Sequence, residues 1–134
     1  MKQKYSFKKG FSILELVIVL AIISILILGL TITINPGDRM ASSRNNRRKA
    51  HLHSLQLTLN QYKQEEGDYP PCLDGNPSDL AECSDYLTPR FLDEIPEDES
   101  RCGYETGYLG WLEEGNLVLE AVCAEGGEEI KIKR

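Results

Sequence analysis

Cysteine is missing before Cys72 in this 134-residue chain, acidic residues are missing before Glu15, and basic residues are almost missing between positions 65 and 129. Each gap excludes something. With no cysteine near the N-terminus, a lipid anchor on a cysteine directly after an apolar run is ruled out. Histidine is scarce as well, with only His51 and His53, and no G-x-S-x-G, H-E-x-x-H or phosphate-binding glycine loop occurs. An enzyme is therefore not expected. The two histidines are two positions apart, so on a helix they face different ways and do not make an i, i+4 metal pair. Residues 65–129 carry 19 acidic and 2 basic side chains, which would repel phosphate. Direct nucleic-acid binding is not expected, despite the cluster Arg39, Arg44, Arg47, Arg48 and Lys49 just upstream.

What the N-terminal third does contain is an apolar run. Residues 11–34 hold one charge, Glu15, so the averages for the whole chain, net charge −6 and 41% hydrophobic, hide two different halves. As a helix rising about 1.5 Å per residue the run reaches about 36 Å, enough for a hydrocarbon core of about 30 Å. Lys2, Lys4, Lys8 and Lys9 precede it, which predicts a cytoplasmic N-terminus and an extracytoplasmic remainder. After Leu30 the chain reads Thr31-Ile32-Thr33-Ile34-Asn35-Pro36, with no A-x-A cleavage pattern, so removal of the whole run is not expected.

The start of the run is more specific. Lys8-Lys9-Gly10-Phe11-Ser12-Ile13-Leu14-Glu15 places a glycine before the apolar helix and a carboxylate five residues beyond it. A carboxylate in a membrane helix costs up to about 3 kcal/mol and needs compensation. This junction resembles the leader of type IV prepilins and of type II secretion pseudopilins, with Ser12 where the family commonly has threonine. The resemblance implies that a membrane prepilin peptidase cuts between Gly10 and Phe11 and methylates the new amine of Phe11. The mature chain would have 124 residues and net charge −10, because four lysines leave with the leader. An α-amine has an ordinary pKa of about 8 and is largely cationic at neutral pH. Glu15 could meet that of Phe11 in the same chain at i, i+4 spacing or in a neighbouring subunit, and the resemblance favours the neighbour. Implied partners are the prepilin peptidase, identical or related pilin subunits, an inner-membrane assembly platform and membrane lipid.

Asn35-Pro36-Gly37 should break or kink the helix, and the resemblance favours a continuous kinked spine. Helical periodicity returns over 38–66. Leu52, Leu55, Leu59 and Tyr62 form one stripe, continued toward the membrane by Arg44, Arg47, Arg48 and His51. The leucine part is expected to pack on the chain's own head and the arginine part to extend beyond it, toward acidic neighbours or lipid headgroups. On the opposite face Ala50, His53 and Leu57 suit contacts with other helices. Glu65-Glu66-Gly67-Asp68-Tyr69-Pro70 ends the helix, and its Gly-x-Tyr-Pro exit is similar to that of many pilins.

The expected organisation is a leader at 1–10, a transmembrane helix half at 11–34, an amphipathic half at 35–66 and an extracytoplasmic head at 67–134. Within the head, 67–103 reads as loop with a short helical turn at 79–86, and 104–134 as an antiparallel sheet with strands near 108–112, 117–123 and 129–133. Trp111 or Leu112, with Leu117, Leu119 and Ile130, would cover the helix stripe. The fold class is α+β: a long N-terminal helix packed on a small antiparallel sheet. Cys72, Cys83, Cys102 and Cys123 permit three pairings, of which Cys72 with Cys83 and Cys102 with Cys123 is preferred because it staples the proline loop and ties the sheet. Zinc is disfavoured because no C-x-x-C pair occurs. No cofactor is expected. Asp93, Glu94, Glu97, Asp98 and Glu99 crowd one loop, and resemblance to major pseudopilins raises a structural Ca²⁺ there, but a solvated acidic loop is favoured for want of ligand spacing. The functional expectation is a pilin-like subunit of a type IV pilus or a type II secretion pseudopilus, ending as a cell-surface or periplasmic filament. The alternative is a membrane-anchored extracytoplasmic binding module that does not assemble.

Overall fold

The computed structural model describes residues 10–32 and 36–134. These fall into two compact units, Met1–Pro36 and Gly37–Arg134. Of the break or kink expected at Asn35-Pro36-Gly37, Asn35 lies outside the described residues, as does most of the leader, while Pro36 and Gly37 are helical.

The first unit contains one helix, α1 (Ile13–Ile32). Ser12 precedes it, and its carbonyl accepts the first helical bond from Leu16 N–H at 3.1 Å. The only hydroxyl described within α1, that of Ser24, donates to Leu20 O at 2.7 Å, so it needs no outside acceptor. Among the described residues no helix is long and apolar enough to cross a membrane. Side chains of α1 are described as far as Gly29, short of the full apolar run of 11–34 on which the expected span rests.

The second unit takes in α2 (Pro36–Glu66) from Gly37 onward. Proline suits a first helical position, where a missing N–H costs nothing. Gly67 ends the helix at φ 93°, with its N–H on Lys63 O at 2.9 Å. The head is a four-stranded antiparallel meander in the order β1 (Ser78–Asp79), β2 (Tyr108–Glu113), β3 (Asn116–Ala121), β4 (Ile130–Lys133). The β2–β3 hairpin turns through Glu114 and Gly115, both at positive φ, which matches the twist of the strands it joins.

Alternation along the strands gives the sheet two faces. Tyr108 pairs with Ala121, which pairs with Ile130; Gly110, Leu119 and Ile132 form the next row. This face packs on Leu52, Leu55 and Leu59 of α2, each fully buried. Gly110 is needed there, because a Cβ would lie 2.7 Å from Leu80 Cδ2 and 2.9 Å from Leu73 Cδ2. Leu112 is half-buried on this side, whereas Trp111 sits on the opposite face in a small cluster with Leu109, Val118 and Val122, under the Lys131 ammonium.

The segment expected as loop holds more structure than its composition suggests. Besides β1 it contains a 3₁₀ turn, Leu80–Cys83, and a one-turn helix α3, Ser84–Leu87. Leu73, Leu80, Leu87 and Ile95 from this stretch enter the main core. The two-residue β1 exists because Ser78 and Asp79 pair with Gly110 and Leu109, a long-range contact with no local signature. Disulfides join Cys72 to Cys83 and Cys102 to Cys123, with Cα separations of 5.3 and 5.7 Å.

Candidate functional site

Chemistry-bearing residues gather in two places, one in each unit. In the first, Gly10, Phe11 and Glu15 lie on one exposed stretch at the start of α1. An added Cβ at Gly10 would meet no described atom within 4 Å, and Phe11 is 80% exposed. Glu15 sits in the first turn of α1, where unpaired backbone N–H groups favour a carboxylate. It pairs with no cation among the described residues.

Beyond this junction α1 is apolar on every side, and its described side chains are exposed. Leu16, Leu20, Leu26 and Leu28 are 55–65% exposed, and the isoleucines between them are similar. A helix apolar all round is stable only where lipid or other helices surround it.

The second place is where the basic turn of α2 meets the head. Arg48 is 2% exposed and grips Asp98, itself almost fully buried, through Nε to Oδ2 and through Nη2 to Oδ1 at 3.2 Å. Its Nη1 also donates to Asn45 Oδ1 at 2.8 Å and to Glu125 Oε1 at 3.1 Å. Arg44 clasps Glu125 with two bonds, at 2.7 and 2.5 Å. Asn45 binds the backbone of Glu125 at both ends, donating to its carbonyl at 2.9 Å and accepting from its N–H at 3.0 Å. Lys49 pairs with Glu128, Arg47 with Glu99, and His51 Nδ1 lies 2.7 Å from the Tyr108 hydroxyl. A cavity of about 150 Å³ lies beside this network, lined by Arg44, Arg48, His51, Asp98 and Tyr108 among others.

The electrostatics follow from this geometry. Burial alone pushes the Asp98 carboxyl up, but hydrogen bonds from Arg48 and the Ser100 N–H, with the Arg48 charge, hold it below its ordinary value. Glu125, bound by Arg44 and Arg48, is lowered to about 2. Tyr108 is pushed up to about 12, first by burial and then by the nearby Asp98 charge. Asp79 is also held low: burial opposes ionisation, and hydrogen bonds from Thr106, Ala81 and Glu105 outweigh it. No described buried side-chain polar atom is left without a partner.

This arrangement corrects one expectation. Arg44, Arg47 and Arg48 do not extend past the head toward neighbours or lipid; they pair with this chain's own Glu125, Glu99 and Asp98. The reason is distance in sequence: Asp98 and Glu125 come from loops 50 and 77 residues beyond Arg48. The acidic loop is partly committed as well, since Glu97 pairs with Arg101 while Asp98 and Glu99 bind arginines of α2. Among the described residues no three histidine, cysteine or carboxylate side chains are grouped to hold a metal ion. Ala50, His53 and Leu57 are exposed along α2, and His51 is half-buried. Asn45, Glu125, Glu128 and Tyr108 belong to the network although no sequence motif marks them.

Residues 6–31 match the family model of the prokaryotic N-terminal methylation motif, the signature of type IV pilins and pseudopilins. The match covers the junction at Gly10, Phe11 and Glu15 and most of α1. No curated protein matches the chain, and no solved structure matches it.

Proposed function

We propose that this chain is a structural, non-catalytic pilin-like precursor, cut by a prepilin peptidase between Gly10 and Phe11, methylated on the Phe11 amine, and assembled into a filament. Residues 11–34 hold it in the membrane with the N-terminus cytoplasmic and the head extracytoplasmic. From there it joins identical or related subunits at an inner-membrane platform, in a type IV pilus or a type II secretion pseudopilus. The role needs no cofactor. The observation that supports this reading is the coincidence of the methylation motif over 6–31 with a helix whose described apolar side chains are largely exposed.

Glu15 supplies the specificity. In an apolar surrounding its carboxylate needs a cation, and cleavage at Gly10 creates one at Phe11. Pairing with the amine of a neighbouring subunit makes assembly depend on processing. The test is the intact mass of protein extracted from membranes that process other prepilins. A chain beginning at Phe11 with one added methyl group is expected; an uncleaved chain overturns the proposal. Glu15→Ala should insert normally and yet fail to enter filaments, whereas a tethered binding module would tolerate the change.

A further inference from the structure

The Cys102–Cys123 disulfide joins the two loops that hold Arg48. Cys102 lies four residues after Asp98, and Cys123 two residues before Glu125; these acids contact the Arg48 guanidinium from separate loops. The Asp98 loop is tied to the sheet at its far end: Asp98 N–H donates to Thr106 O at 2.7 Å, Asp79 of β1 accepts from Glu105 N–H at 2.6 Å and from the Thr106 hydroxyl at 2.5 Å, and Val122 N–H donates to Gly107 O at 3.1 Å; none of these bonds involves residues 99–104. Its backbone is also held against preference, since Arg101 and Cys102, with φ of 52° and 48°, occupy the left-handed region that L residues disfavour.

The two disulfides differ in access. Cys102 is exposed while its partner Cys123 is buried. Cys83 is fully buried and Cys72 packs against the same core. Cys72 is itself half-buried, so the exposed Cys102 is the more open of the two pairs to an attacking thiolate, and the difference is one of degree.

We propose that Cys102–Cys123 is a thiol-exchange site whose closed form latches the basic turn of α2, residues 44–49, onto the head. The co-reactant is a dithiol. One of its thiolates attacks Cys102 Sγ, the sulfur–sulfur bond breaks, and the electron pair leaves on Cys123 Sγ, which takes up a proton. The second thiolate of the dithiol then attacks the mixed disulfide and displaces Cys102 as a thiolate. The dithiol ends as a disulfide and the protein gains two electrons; a disulfide oxidant reverses the step. Once open, the Asp98 and Glu125 loops no longer hold a fixed separation, and Arg44, Asn45 and Arg48 lose their common grip. Leu52, Leu55 and Leu59 remain packed on the sheet, so the response stays local. This latch belongs to the head and goes beyond the filament reading.

The experiment uses the full chain in detergent micelles, pulsed with dithiothreitol under native conditions, alkylated and mapped by peptide mass. Cys102 and Cys123 should be labelled about tenfold faster than Cys72 and Cys83. In that two-thiol species, amide exchange over residues 44–50 should rise about tenfold while β2 and β3 keep their protection. Reoxidation should restore the original exchange. Simultaneous labelling of all four cysteines, unchanged exchange at 44–50, or failure to recover on reoxidation overturns the latch. The double variant Cys102→Ser, Cys123→Ser should show the fast exchange without reductant. The pulse itself starts from the native oxidised chain, so it tests the latch even where that variant fails to fold.

Discussion

Leucine is used in opposite ways in the two units of this chain. In α1, Leu16, Leu20, Leu26 and Leu28 are more than half exposed; in α2, Leu52, Leu55 and Leu59 are fully buried. The head has settled its interactions internally, with its buried polar groups paired and its leucines covered by β2, β3 and β4. In the described part of α1 the large apolar side chains are exposed along the whole helix. The difference separates a unit whose leucines are buried by its own sheet from a helix whose described apolar side chains are exposed, the contrast that the proposed filament role would use.

The sharpest way to test the self-sufficiency of the head is to remove its buried charge. Arg48→Ala leaves Asp98 ionised and nearly buried without its partner, and loss of one member of such a pair costs about 3–5 kcal/mol. Chemical denaturation followed by Trp111 fluorescence should show that loss. Arg48→Met with Asp98→Leu should recover much of it, because two apolar groups leave no uncompensated charge. Next in size is Leu55→Ala, which opens a cavity between α2 and the sheet at a cost of about 2–5 kcal/mol, read from the same denaturation midpoint.

Acid should weaken the head more gradually. Asp98, Asp79 and Glu125 have lower pKa values in the folded state than unfolded carboxylates, Glu125 at about 2. Their stabilisation is therefore fully present above the ordinary carboxylate range and is lost as pH falls through the folded values. The thermal midpoint of the head should stay level from about pH 5 to pH 8 and decline from about pH 4 toward pH 2. Asp98→Asn should flatten that decline. A head equally stable at pH 2 and pH 7 would mean that its ion network contributes nothing.

The same contrast explains what could be read in the sequence. The N-terminal junction was legible because its chemistry is local: Gly10, Phe11 and Glu15 stand within six consecutive residues, and the apolar run follows without interruption. The leucine stripe of α2 was legible because helical spacing alone puts Leu52, Leu55 and Leu59 on one face. The arginine stripe on the same helix was legible as a stripe, but its partners were not, since Asp98 and Glu125 reach it from loops far along the chain. β1 carries no sequence signal because two residues are too few to show alternation. Trp111 and Leu112 were ambiguous because Tyr108-Leu109-Gly110-Trp111-Leu112 is apolar at successive positions, and only the pairing of Gly110 with Leu119 assigns the faces.

The smallest expected effect tests the other side of the comparison. Leu20→Ala in α1 removes the same atoms as Leu55→Ala, but Leu20 is 55% exposed and belongs to no buried core cluster among the described residues, so it leaves no enclosed cavity. In detergent micelles the unfolding free energy of the head should therefore change by less than about 0.5 kcal/mol. Micelles replace the surroundings that α1 would have in a membrane or a filament, so the deleted methyl groups are exchanged for detergent contacts and the head does not register them. If Leu20→Ala instead destabilised the head as much as Leu55→Ala does, α1 would have to share the head's core, and the reading of α1 as a surface reserved for lipid and other subunits would fall with it.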